Sequence, residues 1–185
     1  MGSRLRQVLR TKRLVLRETD GSDFEEMFGM LSDPAVMAHY PRTRTADETR
    51  QWIAWVQARY EEFGYCFWTV TLASSREFLG QCGLLVQDVD QQRELEVAYL
   101  FKRAAWHHGY ATEAARACRD YAFEVVQAPY VISLIRPANL PSRAVAERNG
   151  MTVWKTTKFR DLEALVYRVD RASIGREKTA PTTRE

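Results

Sequence analysis

Residues 106–113 read Trp-His-His-Gly-Tyr-Ala-Thr-Glu, so two imidazoles stand against a lone glycine that opens an alanine-rich segment of helical periodicity. A histidine pair can ligate metal or move protons, whereas glycine ahead of a helix leaves bare N–H groups for an anion. The spacing disfavours metal: neighbours in a turn rarely converge on one ion, and no third histidine or paired cysteine stands at ligand distance in the sequence. The helix start favours an anion, phosphate above all, because first-turn amides lack intrahelical partners and the helix dipole adds positive potential there. Thr112 offers a hydroxyl in that turn, and Ala111 keeps the approach narrow. The stretch has neither the Gly-Lys-Ser/Thr of a P-loop nor the glycine spacing of a dinucleotide fingerprint, which argues against ATP and NAD. On the local pattern alone, ordinary turn geometry remains the stronger explanation of the glycine.

The elements that must position this stretch can be read from periodicity. Arg13 to Glu18 alternates like a strand; Phe24, Met27, Phe28 and Leu31 then recur at helical spacing behind the box Ser22-x-x-Glu25. A second box, Thr45-x-x-Glu48, opens a helix with the stripe Trp52, Trp55, Val56, Tyr60 and Phe63, and Gly64 is its expected stop. Three strands follow, Cys66 to Leu72, Phe78 to Val86 and Leu95 to Phe101, joined by the polar connectors ASSRE and QDVDQQRE as an antiparallel meander. Tyr110 to Val126 reads as a helix with a small-residue face that can pack closely on a sheet. YVISLI is a buried strand, SRAVAERN a short helix stopped by Gly150, and Val153 to Lys158 with Ala164 to Val169 a final strand pair. The order is β-α-α-β-β-β-α-β-α-β-β, one α+β domain over residues 1–171 with a mixed sheet. The Thr-, Arg-, Lys- and Glu-rich stretch 172–185 is expected to be a disordered tail.

Composition bounds the partners. The 185 residues are 45% apolar and 28% charged, and 27 basic against 24 acidic side chains leave a formal charge of +3, too mild to argue for nucleic acid. Part of the basic excess lies near the two ends, where it keeps chain termini soluble. Cys66, Cys82 and Cys118 are an odd number set in apolar patterns, read as buried free thiols of a reducing compartment. No apolar run approaches signal-peptide or membrane length, so the expectation is a cytoplasmic protein without a membrane partner.

Three segments, Glu96 to Phe101 (EVAYLF), Trp106 to Ala114 (WHHGYATEA) and Asn139 to Met151 (NLPSRAVAERNGM), occur in the order and spacing of a known pattern. Through them the chain resembles the GNAT superfamily of acyl-CoA-dependent N-acyltransferases. Within it the chain looks most like the RimJ/RimL branch of ribosomal-protein N-terminal acetyltransferases. The resemblance covers nearly the whole ordered chain. It implies a three-layer αβα form of the α+β class, with a central mixed, mostly antiparallel sheet of about seven strands and about four helices.

The resemblance also implies acetyl-CoA as acyl donor. Its pyrophosphate would be held by the amides of His107, His108, Gly109, Tyr110, Ala111 and Thr112, and its pantetheine arm by the backbone of Leu100 and Phe101. Asn139 and Ser142 would complete the cofactor side. His107 replaces the first glycine of the family loop, and a non-glycine residue with negative φ can still turn its amide inward.

Acyl transfer to an amine needs a proton taken from the ammonium nucleophile and one given to the departing thiolate. Glu96 is the candidate base, acting through a water, with a purely structural carboxylate as the competing reading; Glu94 and Glu163 are weaker candidates. The tyrosine that many superfamily members place seven residues after the motif asparagine is here Ala146. Ser142 is therefore the candidate acid, against the plainer reading of Asn139, Pro141 and Ser142 as a capped helix start. The acceptor site is expected along the first two helices and their connection, with His39, Tyr40 and Trp68 as contacts and Trp154 from the last strands.

Three functional classes compete: a direct-transfer N-acetyltransferase acting on a peptide N-terminus or small amine; a non-catalytic acyl-CoA- or partner-binding module of the same fold; and a nucleic-acid binder. The first accounts for all three motifs and needs no metal. A monomer or a homodimer would suit it.

Overall fold

The computed structural model describes residues 6–177, with side chains to 174. Eight strands form one sheet in the order β1-β2-β3-β4-β5-β6-β8-β7. They are β1 (Gln7–Arg10), β2 (Leu14–Arg17), β3 (Phe67–Leu72), β4 (Phe78–Val89), β5 (Gln92–Phe101), β6 (Tyr130–Ile135), β7 (Thr152–Phe159) and β8 (Leu162–Asp170). All neighbours are antiparallel except β5 and β6, which are parallel. The helices are α1 (Phe24–Leu31), α2 (Ala46–Phe63), α3 (Tyr110–Glu124), α4 (Leu140–Arg148) and α5 (Arg171–Glu177).

Strand alternation sorts β5 between two helical layers. Leu95, Val97, Tyr99 and Phe101 join the main core with Ala114, Ala115, Cys118 and Ala122 of α3. Leu100 and Ala98 turn to the other face, where Met27, Met30 and Leu31 of α1 and Ile53 and Val56 of α2 pack. The small face of α3 thus lies directly over the strands, as its alanines require. All three cysteines are buried and free.

The sheet has one strand more than expected, and there is one additional helix. β1 lies in what reads as an arm: it has only four residues, two of them exposed, so no alternation is visible until it pairs with β2. α5 occupies part of the expected tail, because Ile174 closes over Gly150 and Val169; residues 178–185 lie outside the described region. The first helical start is also different. Asp20, not Ser22, is the capping residue: its carboxylate accepts from the Ser22 amide at 2.9 Å, and Asp23 answers to the Asp20 amide at 3.1 Å, which opens a short 3₁₀ turn, Gly21–Asp23, before α1. At α2 the box Thr45/Glu48 and the left-handed Gly64 stand as expected. The connector QDVDQQRE shrinks to Asp90 and Gln91, whose φ values of 51° and 66° make a tight turn and let β4 and β5 extend into one long hairpin.

Gly80 on β4 allows the close approach of β5 at its functional end. A Cβ there would lie 2.2 Å from the Leu100 carbonyl oxygen and 2.7 Å from Phe101 Cα, and φ is 154°. Gly80→Ala is expected to destabilise the fold by about 3 kcal/mol, through backbone strain and overpacking, measured as a lower urea midpoint with unchanged m-value.

Candidate active site

The loop before α3 is held by its carbonyls and side chains, which leaves its amides free. Trp106 Nε1 donates to the Phe101 carbonyl at 2.9 Å, tying the loop to the end of β5. Arg13 Nη1 donates to the His108 carbonyl at 2.9 Å, its Nε donates to Glu113 Oε2 at 2.6 Å, and its guanidinium lies 4.7 Å from the Tyr110 ring centroid. Among the described residues, the N–H groups of His107, His108, Gly109, Tyr110, Ala111 and Thr112 donate to no group of the chain. Six amides without partners at the N-terminus of a fifteen-residue helix leave donors of the kind that an anion such as a pyrophosphate can satisfy.

The two imidazoles are exposed, and His108 stacks on Tyr110 at 5.4 Å. His107 does not have the negative φ expected of it: at 63° it occupies the left-handed region, as Gly109 does at 77°. The loop keeps the shape that a glycine would take there and holds a histidine in it, a conformation unfavourable for a side-chain-bearing residue. No group of three or more His, Cys, Asp or Glu side chains among the described residues could hold a metal.

β5 and β6 share a single bridge, Glu96 opposite Ile132. Ser133 Oγ donates to the Val97 carbonyl at 2.7 Å just beyond it, and the strands then part. By alternation the amide and carbonyl of Tyr99 face the same open side as those of Val97, whereas the expected Leu100 turns its backbone to β4 and the Phe101 carbonyl is taken by Trp106, so the free backbone along the cleft beyond the bridge is that of Tyr99 and the Phe101 amide.

At the crotch of that cleft sits Glu96, 7% exposed. Its Oε2 accepts from Gln87 Nε2 at 2.7 Å and its Oε1 from the Leu134 amide at 3.1 Å. Burial pushes its carboxyl up to about 7, with the two hydrogen bonds and the Arg160 charge pulling the other way. A carboxyl raised toward neutrality is a stronger base than an ordinary glutamate, the property that proton removal from an ammonium requires. Tyr40 approaches from the α1–α2 connection: half its surface meets solvent, but its hydroxyl end is enclosed. Burial, then the Glu96 charge, push that phenol up to about 12 while Arg160, Arg44 and Arg136 lower it.

On the opposite wall, α4 begins as a capped helix. Asn139 Oδ1 accepts from the Ser142 amide at 3.2 Å, and Pro141 lies in the first turn. The Tyr99 hydroxyl donates to the Ser142 carbonyl at 2.8 Å, with its phenol pushed up strongly by burial. Ser142 Oγ has no hydrogen bond within the described chain, so capping uses its amide and leaves its hydroxyl available as a donor.

Other expected site residues fall elsewhere. Trp68 is fully buried, packed edge-on against Tyr121 at 5.2 Å in the core beneath α3; strand alternation therefore puts it on the wrong face of the sheet to meet an acceptor beside Tyr40. His39 is half-buried next to Tyr40, with no hydrogen bond to the groups above. Glu94 is buried on the same strand face as Glu96, against Tyr130, whose phenol it pushes up. Glu163 is exposed, and only its carbonyl is engaged, by Arg136. Trp154 lies on β7, exposed, with Arg168 4.9 Å from its ring. Sequence reasoning overlooked Arg13, Gln87 and Tyr99 as positioning groups. Tyr99 could have been found, since it lies three residues from Glu96 on a strand and must face the other way. Arg13 could not, because 95 residues separate it from its partner at His108.

Two stability measurements follow. His107→Gly is expected to raise stability by up to about 1 kcal/mol by relieving the left-handed conformation; a lower urea midpoint would contradict it. Because the folded Glu96 carboxyl is raised from 4.5 to about 7, the native state holds its proton longer than the unfolded chain. Its contribution is therefore present below about 4.5 and is lost as pH rises toward 7. Glu96→Gln should flatten that decline in a pH series of denaturation midpoints.

Residues 13–152 match the family described as Acetyltransferase (GNAT) domain. The protein YkkB of Bacillus subtilis (strain 168) is 39% identical over 158 residues, which cover 85% of this chain and 92% of that one. The crystal structure of the acetyltransferase from Agrobacterium tumefaciens str. C58 is similar with a TM-score of 0.77 at 30% identity, covering 92% of this chain and 96% of that one. The RimL acetyltransferase of ribosomal protein L7/L12, in complex with coenzyme A, has a TM-score of 0.73 at 15% identity over 89% of this chain and 98% of that one, a likeness of fold. No helix among the described residues is long and apolar enough to cross a membrane.

Proposed function

This chain belongs to the GNAT acetyltransferase family and is an acyltransferase, and from that premise we propose that it transfers acetyl from acetyl-CoA directly to a primary amine, on a peptide N-terminus or a small molecule. The observation that carries the reading is the parted β5–β6 cleft, with free amides of a helix start at one end and a buried carboxyl tuned near neutrality at the other.

When bound, acetyl-CoA supplies the acetyl thioester. The amides from His107 to Thr112 would hold its pyrophosphate, and the open backbone of Tyr99 with the Phe101 amide its pantetheine arm. Glu96 takes the proton of the acceptor ammonium, through a water, and the freed amine forms a bond to the acyl carbon as the carbon–sulfur bond breaks. Ser142 Oγ donates a hydrogen bond and then a proton to the departing sulfur and is re-protonated by the second proton that the nitrogen sheds as the amide forms, with its helix turn braced by Tyr99 and Asn139. The products are the N-acetyl amide and free coenzyme A. None of the three cysteines serves as an acyl carrier, since all are buried and burial raises the Cys66 and Cys118 thiols. Serine in place of a tyrosine acid supports likeness to the RimJ/RimL branch.

Release of free thiol from acetyl-CoA against a panel of amines tests this reading; absence of both coenzyme binding and turnover would sink it. Ser142→Ala is expected to lower kcat by about 10²-fold with coenzyme affinity kept. In the wild type, kcat/KM should rise with pH to a plateau above about 7, since the ionised Glu96 is the active form. Glu96→Gln should lose that inflection along with most of the rate.

A further inference from the structure

Three arginines from separate segments lie within electrostatic range of Tyr40: Arg44 from the α1–α2 connection, Arg136 just after β6 and two residues beyond the Leu134 amide that binds Glu96, and Arg160 from the β7–β8 turn that Arg136 braces. All three act electrostatically on the Tyr40 hydroxyl, Arg160 acts also on Glu96, and Arg160 repels both of the others. None of them enters an ion pair among the described residues. Two carboxylates that act on them or on Tyr40 are otherwise engaged. Glu96 is held by Gln87 and the Leu134 amide, and Glu48 is bound by Arg42 and the Thr45 amide.

Arg44 and Arg136 are also held in place. Arg44 lies half-buried with its guanidinium 4.6 Å from the Trp52 ring centroid, and Trp52 is itself fixed by its Nε1 donating to Gln81 at 3.0 Å. Arg136 donates to the carbonyls of Phe159, Leu162 and Glu163, which braces the β7–β8 hairpin and with it the turn that carries Arg160. The side chains of Arg44 and Arg160 make no hydrogen bond within the described chain, so their donors are open. Burying part of Arg44 while crowding it against like charge lowers its pKa, an arrangement that a bound anion would relieve.

We propose that the acceptor is an amine bearing a carboxylate, with the anionic group held by Arg44 and Arg160, Arg136 adding a fixed charge, while the amine faces Glu96 and Tyr40. This rests on the acetyl-transfer reading and narrows its substrate. The same field repels polyamines and other polycations from the site. The carboxylate can come from a free amino acid or from an acidic residue near a peptide N-terminus, and both present the same chemistry to the guanidinium pair.

The test compares kcat/KM for L-aspartate and L-glutamate with their diamides, for the peptide amides Ala-Glu-Glu and Ala-Gln-Gln, and for spermidine. Each acidic acceptor should exceed its neutral counterpart by about tenfold or more, chiefly through KM, and whichever acidic arm is favoured identifies the source. Arg44→Gln and Arg160→Gln should each lower the acidic-to-neutral ratio about tenfold, and Arg160→Glu should move preference toward spermidine. Equal use of acidic and neutral acceptors would overturn the proposal and leave acetyl transfer standing. Should no amine be turned over, titration of N-acetylglutamate against its diamide, with coenzyme A present, decides separately. Tighter binding of the acid sustains the arginine site while the transfer reading falls, and equal binding overturns the site.

Discussion

The single bridge between β5 and β6 is the constraint on which the site depends. Two parallel strands that paired along their length would consume the amides and carbonyls of Tyr99 and its neighbours in a ladder. Here pairing stops at Glu96 opposite Ile132, and the sheet opens into a cleft between its two halves. Free strand edges are unfavourable unless something satisfies them, so a fold that keeps such an edge inside a cleft is prepared for a ligand with its own donors and acceptors. The same parting moves α4 to the opposite wall, where Tyr99 can span the gap and hold the turn carrying Ser142.

Glu96 owes its raised carboxyl to the same place. A carboxylate on an exposed strand would titrate near its ordinary value and would be fully ionised, hence a weak base, at neutral pH. At the crotch it is largely removed from water, and the desolvation outweighs two hydrogen bonds and a nearby arginine. Gln87 can reach it because β4 and β5 form one long hairpin turned by Asp90 and Gln91, whose outer half folds Val89 onto Ile132 and Val166. Two positive φ values at the hairpin tip and one carboxyl at the base are thus parts of one arrangement.

Most of the framework was legible in the sequence, because helix boxes, apolar stripes and alternation are local signals. The Thr45/Glu48 box and the run YVISLI stand in the structure where periodicity put them. What escaped was either too short to show a period, as with β1, or written in backbone geometry, as with the tight Asp90–Gln91 turn and the left-handed His107. Trp68 illustrates a different limit. Its strand was correctly read, but the face it takes depends on which layer lies above, and a run of five consecutive buried residues, Phe67 to Thr71, carries no alternation from which to choose. The arginines converge from segments 44, 136 and 160, and only the fold brings them together.

The exposed histidines bear on how much of the loop is side-chain chemistry. If the anion site depended on imidazole, its geometry should direct His107 and His108 inward; instead both are exposed, one of them stacked on Tyr110. What is secured is the backbone: Arg13 holds a carbonyl, Trp106 anchors the loop to Phe101, and six amides are left without partners. A loop that recognises through amides constrains φ and ψ far more tightly than it constrains residue type. That explains how histidine can stand in a glycine conformation: the anchors at either end impose the left-handed turn, and the strain at His107 is offset by contacts made elsewhere. The identity of the loop is therefore carried by Gly109, by the helix behind it, and by an arginine just ahead of the second strand that no local motif would have named.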